Sequence, residues 1–373
     1  MKTYSSLLFL FLLNLSAHSL YSQTSSCWSN CRGNAELQGV SPAKLPDRPE
    51  LLWNFNTGDG IKGAPVLCDG VIVVGTMDGS LFGINEDGSL KWKIMTENGI
   101  ESPALIVEGT AYIGDLYGML YAVDLQTGAI RWTYETENSI MGSPSFYSSG
   151  GKDILLVGSY DYYLHGVNPA SGKGLWKYET NNFVNVASGL YQGMAVFGGC
   201  DGHLHLVDVL TGQARASLEI SSYVASSAAI SGDMAYVGDY DGYFLAVDLK
   251  RKKVNWVFEN KEANLPFIGS PSVEGKQVFI GNRDKMLYCL NKDDGKLVWK
   301  YNTGGRVDAS PVVVDKRVLV ASMRGDLFLL DQKNGKPLWT WELGTPVHAN
   351  PAVVDQRFYV GGDDGRLYCF GKK

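Results

Sequence analysis

The 373-residue sequence contains no C-x-x-C pair, so zinc ribbons and covalent haem attachment are unsupported. G-x-S-x-G, P-loop and H-E-x-x-H segments are also missing, and the common nucleophile-elbow, nucleotide-phosphate and zincin chemistries lose their usual carriers. The calcium-loop pattern D-x-[DN]-x-[DN]-G does not occur. There is no basic excess: 33 Lys and Arg stand against 39 Asp and Glu, a net charge of -6. The electrostatic footprint of a nucleic-acid binder is therefore absent. No apolar run approaches the ~20 residues of a membrane-spanning helix. What remains is globular: 45% hydrophobic and 12% aromatic residues, with 44 glycines.

The longest apolar run, Leu7–Leu13, follows Lys2 and gives way to small polar residues. This pattern predicts a secretory signal peptide over residues 1–22, cleaved after Ser19 or Ser22. The expected compartment is a periplasm or cell surface, where disulfides persist. Of the six cysteines, Cys27 and Cys31 are near enough in sequence to bridge and form the one disulfide candidate. Cys68 and Cys200 read as free thiols, and Cys289 and Cys369 as small buried residues. Thr24-Ser25-Ser26-Cys27 lacks the leucine usual three residues before a lipidated cysteine, so lipid anchoring is the weaker reading.

Self-similarity organises the rest. Trp53, Trp92, Trp132, Trp176, Trp256, Trp299 and Trp339 recur at one repeat position, with Ala216 filling the missing slot. The steps are 39, 40, 44, 40, 40, 43 and 40 residues, within the propeller range. Each unit opens on a pair such as Ser102-Pro103 and turns at Asp-Gly steps such as Asp78-Gly79 and Asp201-Gly202. It turns again at Thr127-Gly128 or its equivalents and closes on the Trp strand. Four short strands per ~40 residues make one blade. The unit beginning near Asn350 lacks a Trp strand, while Leu51–Phe55 is an orphan Trp strand. Pairing the two removes both free edges. The prediction is all-β: an eight-bladed propeller over residues 45–373, preceded by a leader at 23–44. A seven-bladed ring is the alternative.

Ala122, Asp124, Thr127, Gly128 and Trp132 spell A-x-D-x-x-T-G-x-x-x-W. This resembles the tryptophan-docking motif of the pyrroloquinoline-quinone (PQQ) repeat family. The resemblance implies that each Trp packs between neighbouring blades as structural glue. Asp208, Thr211 and Gly212 keep the pattern without a Trp, and Arg251-Lys252 replaces Thr-Gly before Trp256. Ala216 is accordingly expected to weaken its junction. The segment from Trp28 to Ser41 resembles the leader of such propellers. Two functional classes follow from the resemblance. Quinoprotein dehydrogenases bind PQQ with calcium and typically carry adjacent cysteines; this chain has no Cys-Cys pair and is shorter. Non-catalytic propellers such as the BamB lipoprotein of the outer-membrane assembly machinery need neither. The expectation is a non-catalytic, monomeric scaffold for an envelope protein partner, without cofactor. PQQ binding with calcium, with quinoprotein-type oxidoreductase activity, is the alternative.

In a propeller the residues just before the Ser-Pro pair line the axial funnel. By repeat alignment these are Lys62, Ile100, Met141, Val186, Val224, Ile268, Asp308 and His348. The ionisable members, with neighbouring Glu101 and Arg306, come from contiguous blades and form the candidate binding site. His165 and His205 fall where other blades have Tyr121, Tyr288 or Tyr368, so they read as packing residues rather than metal ligands. The run Lys250–Lys253 reads as a solvated turn. The loop Lys261–Pro266 and the tyrosines 160, 162, 163, 240 and 243 are candidate contacts on the funnel face.

Overall fold

A computed structural model describes residues 27–220, 223–224, 226–261 and 263–373. The expected signal peptide and the start of the leader lie outside the described residues, as does Glu262 of the long loop. No helix among the described residues is long and apolar enough to cross a membrane. Eight antiparallel four-stranded sheets follow one another along the chain. The second blade is typical: Leu105–Val107, Thr110–Gly114, Met119–Asp124 and Ile130–Glu135. The eighth takes Ala352–Val354, Arg357–Gly361 and Arg366–Gly371 from the end of the chain and Glu50–Asn56 from its beginning. Trp53 pairs with Cys369 and Phe55 with Leu367. The innermost strands of the first and eighth blades also meet, so the sheets form a ring.

The core lies between blades rather than within one sheet. One apolar cluster joins the first and second blades through Val73, Leu81, Ala104 and Ile113. Similar clusters join the later neighbours, and the largest joins the seventh, eighth and first. The docking tryptophans staple these junctions. The indole N–H of Trp92 donates to the Leu125 carbonyl at 2.9 Å, that of Trp176 to Val209 at 3.0 Å, and that of Trp299 to Gln332 at 3.0 Å. Each indole also lies flat on the turn glycine of the next blade. A Cβ at Gly128, Gly212 or Gly335 would stand 2.9, 2.6 or 2.5 Å from the ring. The Thr-Gly and Trp positions of the repeat are thus two sides of one contact, made across the junction.

That contact explains both departures from the repeat. Ala216 removes the tryptophan facing the fifth blade, and the turn residue it would have covered is Lys252, at φ 56°. With no indole above it, this position tolerates a Cβ, and the Lys252 ammonium donates to the Arg215 carbonyl at 3.0 Å. Ala216→Trp alone should lower the unfolding midpoint by driving an indole into Lys252. Ala216→Trp with Lys252→Gly should raise it. A double-mutant cycle in denaturant should show a coupling of about 1–3 kcal/mol.

The leader fills the axial channel. Trp28 and Leu67 of the first blade exchange backbone hydrogen bonds at 2.7 and 3.0 Å. The carbonyls of Ser29, Ala35, Glu36, Gln38 and Gly39 then accept from Ile106, Leu190, Ile230, Val273 and Val313, all on innermost strands. Val40–Ser41 adds a parallel strand to the seventh blade. Trp28, Arg32 and Leu37 are buried at 0%, 0% and 1% exposure, so the leader excludes solvent at this level. The Arg32 guanidinium donates to the Pro271 carbonyl and the Ser272 hydroxyl at 2.9 and 2.8 Å.

This path corrects the expected disulfide. Cys27 pairs with Cys68, not with Cys31 (Cα–Cα 4.5 Å). The Trp28–Leu67 bridge sets Cys27 opposite Cys68, while the following turn carries Cys31 inward against Leu37, Ala64 and Ala187. Burial pushes the Cys31 thiol up to about 11, leaving it protonated. Cys68 is therefore bonded rather than free. Cys200, Cys289 and Cys369 are free thiols, as expected.

Candidate functional site

Chain direction decides which residues face the funnel. Innermost strands run away from its mouth, second strands return to it, and the hairpin between second and third strands rims it. Second strands end on glycine in every blade but the seventh, which ends on Ala321, because a wedge from the incoming loop presses there. A Cβ at Gly75 would lie 2.3 Å from Ile100, one at Gly114 2.2 Å from Ile140, and one at Gly198 2.2 Å from Val224. The wedges are buried: Ile61, Ile100, Ile140, Val224 and Val307 are all 0% exposed. This corrects the repeat alignment by one residue in three blades. Ile100 and Val224 are wedges, and in the fourth blade Val184 is the wedge, with Val186 buried beyond it. In the seven blades where the structure describes it, the rim residue after the wedge is Lys62, Glu101, Met141, Asn185, Ile268, Asp308 or His348.

Lys62 and His348 do come together, through a residue the repeat reading missed. Asp363, on the rim hairpin of the eighth blade, accepts from the Lys62 ammonium at 2.9 Å and lies 3.2 Å from His348 Nε2. Asp308 accepts two hydrogen bonds at 3.0 Å from Arg283, on the equivalent hairpin of the sixth blade. The signal for both was present: Arg283 and Asp363 each stand two residues after the wedge glycines Gly281 and Gly361. Glu101 is half-buried on the rim and makes no ion pair among the described residues. Arg306 is exposed, and its carbonyl accepts from the Met323 amide at 2.8 Å. Neither joins the Lys62–Asp363–His348 cluster.

Desolvation holds the His348 imidazolium below the ordinary histidine range; Asp363 opposes this, and Lys62 reinforces it. A depressed histidine contributes stability above its unfolded value, near 6.5, and loses it as pH falls through the folded value. Proton NMR of the His348 ring should therefore show a low midpoint. Lys62→Met should raise that midpoint, and Asp363→Asn should lower it further.

The opposite side of the mouth is aromatic. Tyr160 stacks on Phe183 at 4.4 Å between ring centres, and Tyr162 tilts onto the same ring at 5.4 Å. Tyr162 and Tyr240 are each 44% exposed. The two strand histidines take tyrosine's packing role. His165 Nε2 lies 3.0 Å from the Asp161 carboxylate, as the Tyr121 hydroxyl lies 2.9 Å from Asp115 in the second blade. His205 repeats this with Asp201 at 3.1 Å. No three His, Cys, Asp or Glu side chains among the described residues are grouped to hold a metal.

Comparison with known proteins agrees with this architecture. The solved BamB of Moraxella catarrhalis is 20% identical and superposes with a TM-score of 0.74, over 87% of this chain and 98% of that one. A europium-containing methanol dehydrogenase is 13% identical, with a TM-score of 0.78 over 94% and 99%. A quinohemoprotein alcohol dehydrogenase from Comamonas testosteroni is 13% identical, with a TM-score of 0.79 over 95% and 82%. At these identities the likeness establishes the fold alone. No curated protein matches the chain. The family model for outer membrane protein assembly factor BamB matches residues 46–139, 96–301 and 283–373. Those segments run through all eight blades and take in most of the sequence, and the chain belongs to that family.

Proposed function

We propose that the protein is an exported, non-catalytic propeller that binds protein partners at the bacterial cell envelope, as a scaffold similar to BamB. The observation that carries this reading is the filled axis. The leader occupies the channel, and the charges at its mouth are largely satisfied by one another: Asp308 by Arg283, and Asp363 by Lys62 and His348. The residues present do not fit a calcium-bound quinone. Calcium takes six to eight oxygen ligands, whereas Asp308 and Asp363 are already engaged, Glu101 stands apart from both, and no three His, Cys, Asp or Glu side chains among the described residues are grouped to hold a metal. Cys200, the rim cysteine, has no neighbour in sequence with which to form an adjacent-cysteine disulfide. Its thiol is raised by burial and by Asp201, the reverse of a reactive cysteine. Export fits a Cys27–Cys68 bridge, and a Cys27 sulfur engaged in that bridge is not free to carry a lipid.

Crosslinking in intact cells, read by mass spectrometry, should recover envelope proteins joined to the propeller. Titration with PQQ and calcium should leave absorbance and dye reduction unchanged. A saturable absorbance change accompanied by dye reduction would overturn the scaffold reading in favour of a quinoprotein.

A further inference from the structure

We propose that the mouth face over the second to fifth blades is the docking surface, and that its occupant is a basic, lysine- and arginine-rich segment of a partner protein. This rests on the scaffold reading and names the face and the partner chemistry. Outer strands run toward the mouth, so their last residues share that face. In these four blades they are Glu135, Glu179, Glu219 and Glu259, all exposed. The first, sixth and eighth blades end instead on Met95, Asn302 and Asn56. The seventh ends on Glu342, which stands apart between two uncharged ends, so only the second to fifth blades give an unbroken row. Among the carboxylates stand exposed rings: Tyr117 at 66%, Tyr162 at 44%, Tyr223 at 53% and Tyr240 at 44%. Tyr240 donates its backbone N–H to the Tyr223 carbonyl at 3.0 Å, so the loop entering the fifth blade and that blade's rim hairpin form one aromatic step.

Carboxylates interleaved with aromatic faces recognise cations, through charge and through the ring quadrupole. The same surface offers an anion only Lys261, exposed at its edge beyond Glu259, and the outer-strand lysines beside the carboxylates. The nearby mouth cations Lys62 and Arg283 are held by Asp363 and Asp308, and the run Lys250–Lys253 lies on the opposite face. Glu101 supplies an unpaired carboxylate at the funnel edge.

Like Lys285 of the sixth blade at φ 74°, Tyr162 is held at a backbone cost, and it presents one of the exposed rings. Its φ is 76°, at a hairpin position where every other blade except the sixth has glycine (Gly79, Gly118, Gly202, Gly242, Gly325 and Gly365). A tyrosine held in the left-handed region is strained. What the strain secures is an exposed ring on the mouth face.

The test uses two twelve-residue peptides, one of lysine and arginine and one of aspartate and glutamate, titrated onto the whole protein at low salt. The basic peptide should bind and weaken as salt rises; the acidic one should not bind. Glu135→Gln, Glu179→Gln and Glu219→Gln together should weaken binding at least tenfold. Asp87→Asn, Asp153→Asn and Asp293→Asn, which remove the same charge from the opposite face, should leave it unchanged. Equal losses from the two sets would reduce the effect to net charge and overturn the proposal. Tyr162→Gly should raise the melting temperature while weakening the peptide; unchanged binding counts against it. Self-association abolished by the mouth-face changes would assign the surface to a second copy, and so would also overturn it. In cells, a photo-crosslinking residue at Tyr162 should capture protein, and one at Leu210 on the opposite face should not. Capture only from Leu210 would refute this face and leave the scaffold reading standing. Capture from neither would count against the scaffold itself.

Discussion

Trp92→Ala should cost about 3–5 kcal/mol of stability, the range for emptying a packed aromatic site. Trp92 is 7% exposed. Its ring spans two blades, lying over Gly83 of its own blade and Gly128 of the next, and its N–H is satisfied by the Leu125 carbonyl. Truncation therefore opens a cavity, removes a hydrogen bond and leaves that carbonyl without its indole partner. Gly128→Ala attacks the same contact from the other side. It places a Cβ 2.9 Å from the indole at φ 75°, where an L-residue is strained whatever the space. The two changes should combine for less than their sum, because once the indole is gone the alanine has nothing to strike. Denaturant unfolding of both singles and the double variant measures this. Additive losses would mean that the Trp–Gly contact is not the unit of blade docking.

The junction between the fourth and fifth blades shows the same logic in the natural sequence. Ala216 and Lys252 stand 36 residues apart, and each looks like an independent lapse from the repeat. Only the ring geometry brings them to one contact. The repeat, the blade number and the closing strand were legible because they rest on local periodicity: a Trp every ~40 residues and a pattern that ends one strand short. The rim was legible only to within a residue. Ile100, a buried wedge, and Ile268, the half-buried residue after the wedge Phe267, look alike in sequence. Which is wedge and which is rim depends on the glycine that receives the wedge from another strand. Asp363 and Arg283 escaped for a related reason. Their hairpins meet Lys62, His348 and Asp308 only after the sheets stack around the axis. The Cys27–Cys68 pair was hidden more completely, because nothing in the spacing of the leader reports that it folds back into the channel.

Freeing the leader should have the second large effect. Cys27→Ser with Cys68→Ser should lower stability by about 2–4 kcal/mol, the usual worth of a disulfide closing a loop of this order; the bridge spans 41 residues. Trp28→Ala should add a core-cavity loss of about 3–5 kcal/mol, since its side chain is 0% exposed among Leu67, Ile72, Ala43 and Leu45. Hydrogen exchange distinguishes loss of the plug from general weakening. In the native protein the amides of Leu67 and Ile106 donate to leader carbonyls nearest the tether, at 3.0 and 2.7 Å. In the serine variant these two should lose protection first. The Val313 amide should keep its protection, because the far end of the leader is fastened separately. Arg317 donates to the carbonyls of Leu45 and Pro46 at 2.6 and 3.0 Å, and Val40–Ser41 is paired with the seventh blade. Uniform loss at all three amides would mean that the leader leaves as a whole and that the tether, rather than the Arg317 clamp, is what retains it. That distinction bears on function. A plug anchored at both ends keeps the axis closed, so the docking proposed above falls to the mouth face rather than to the channel.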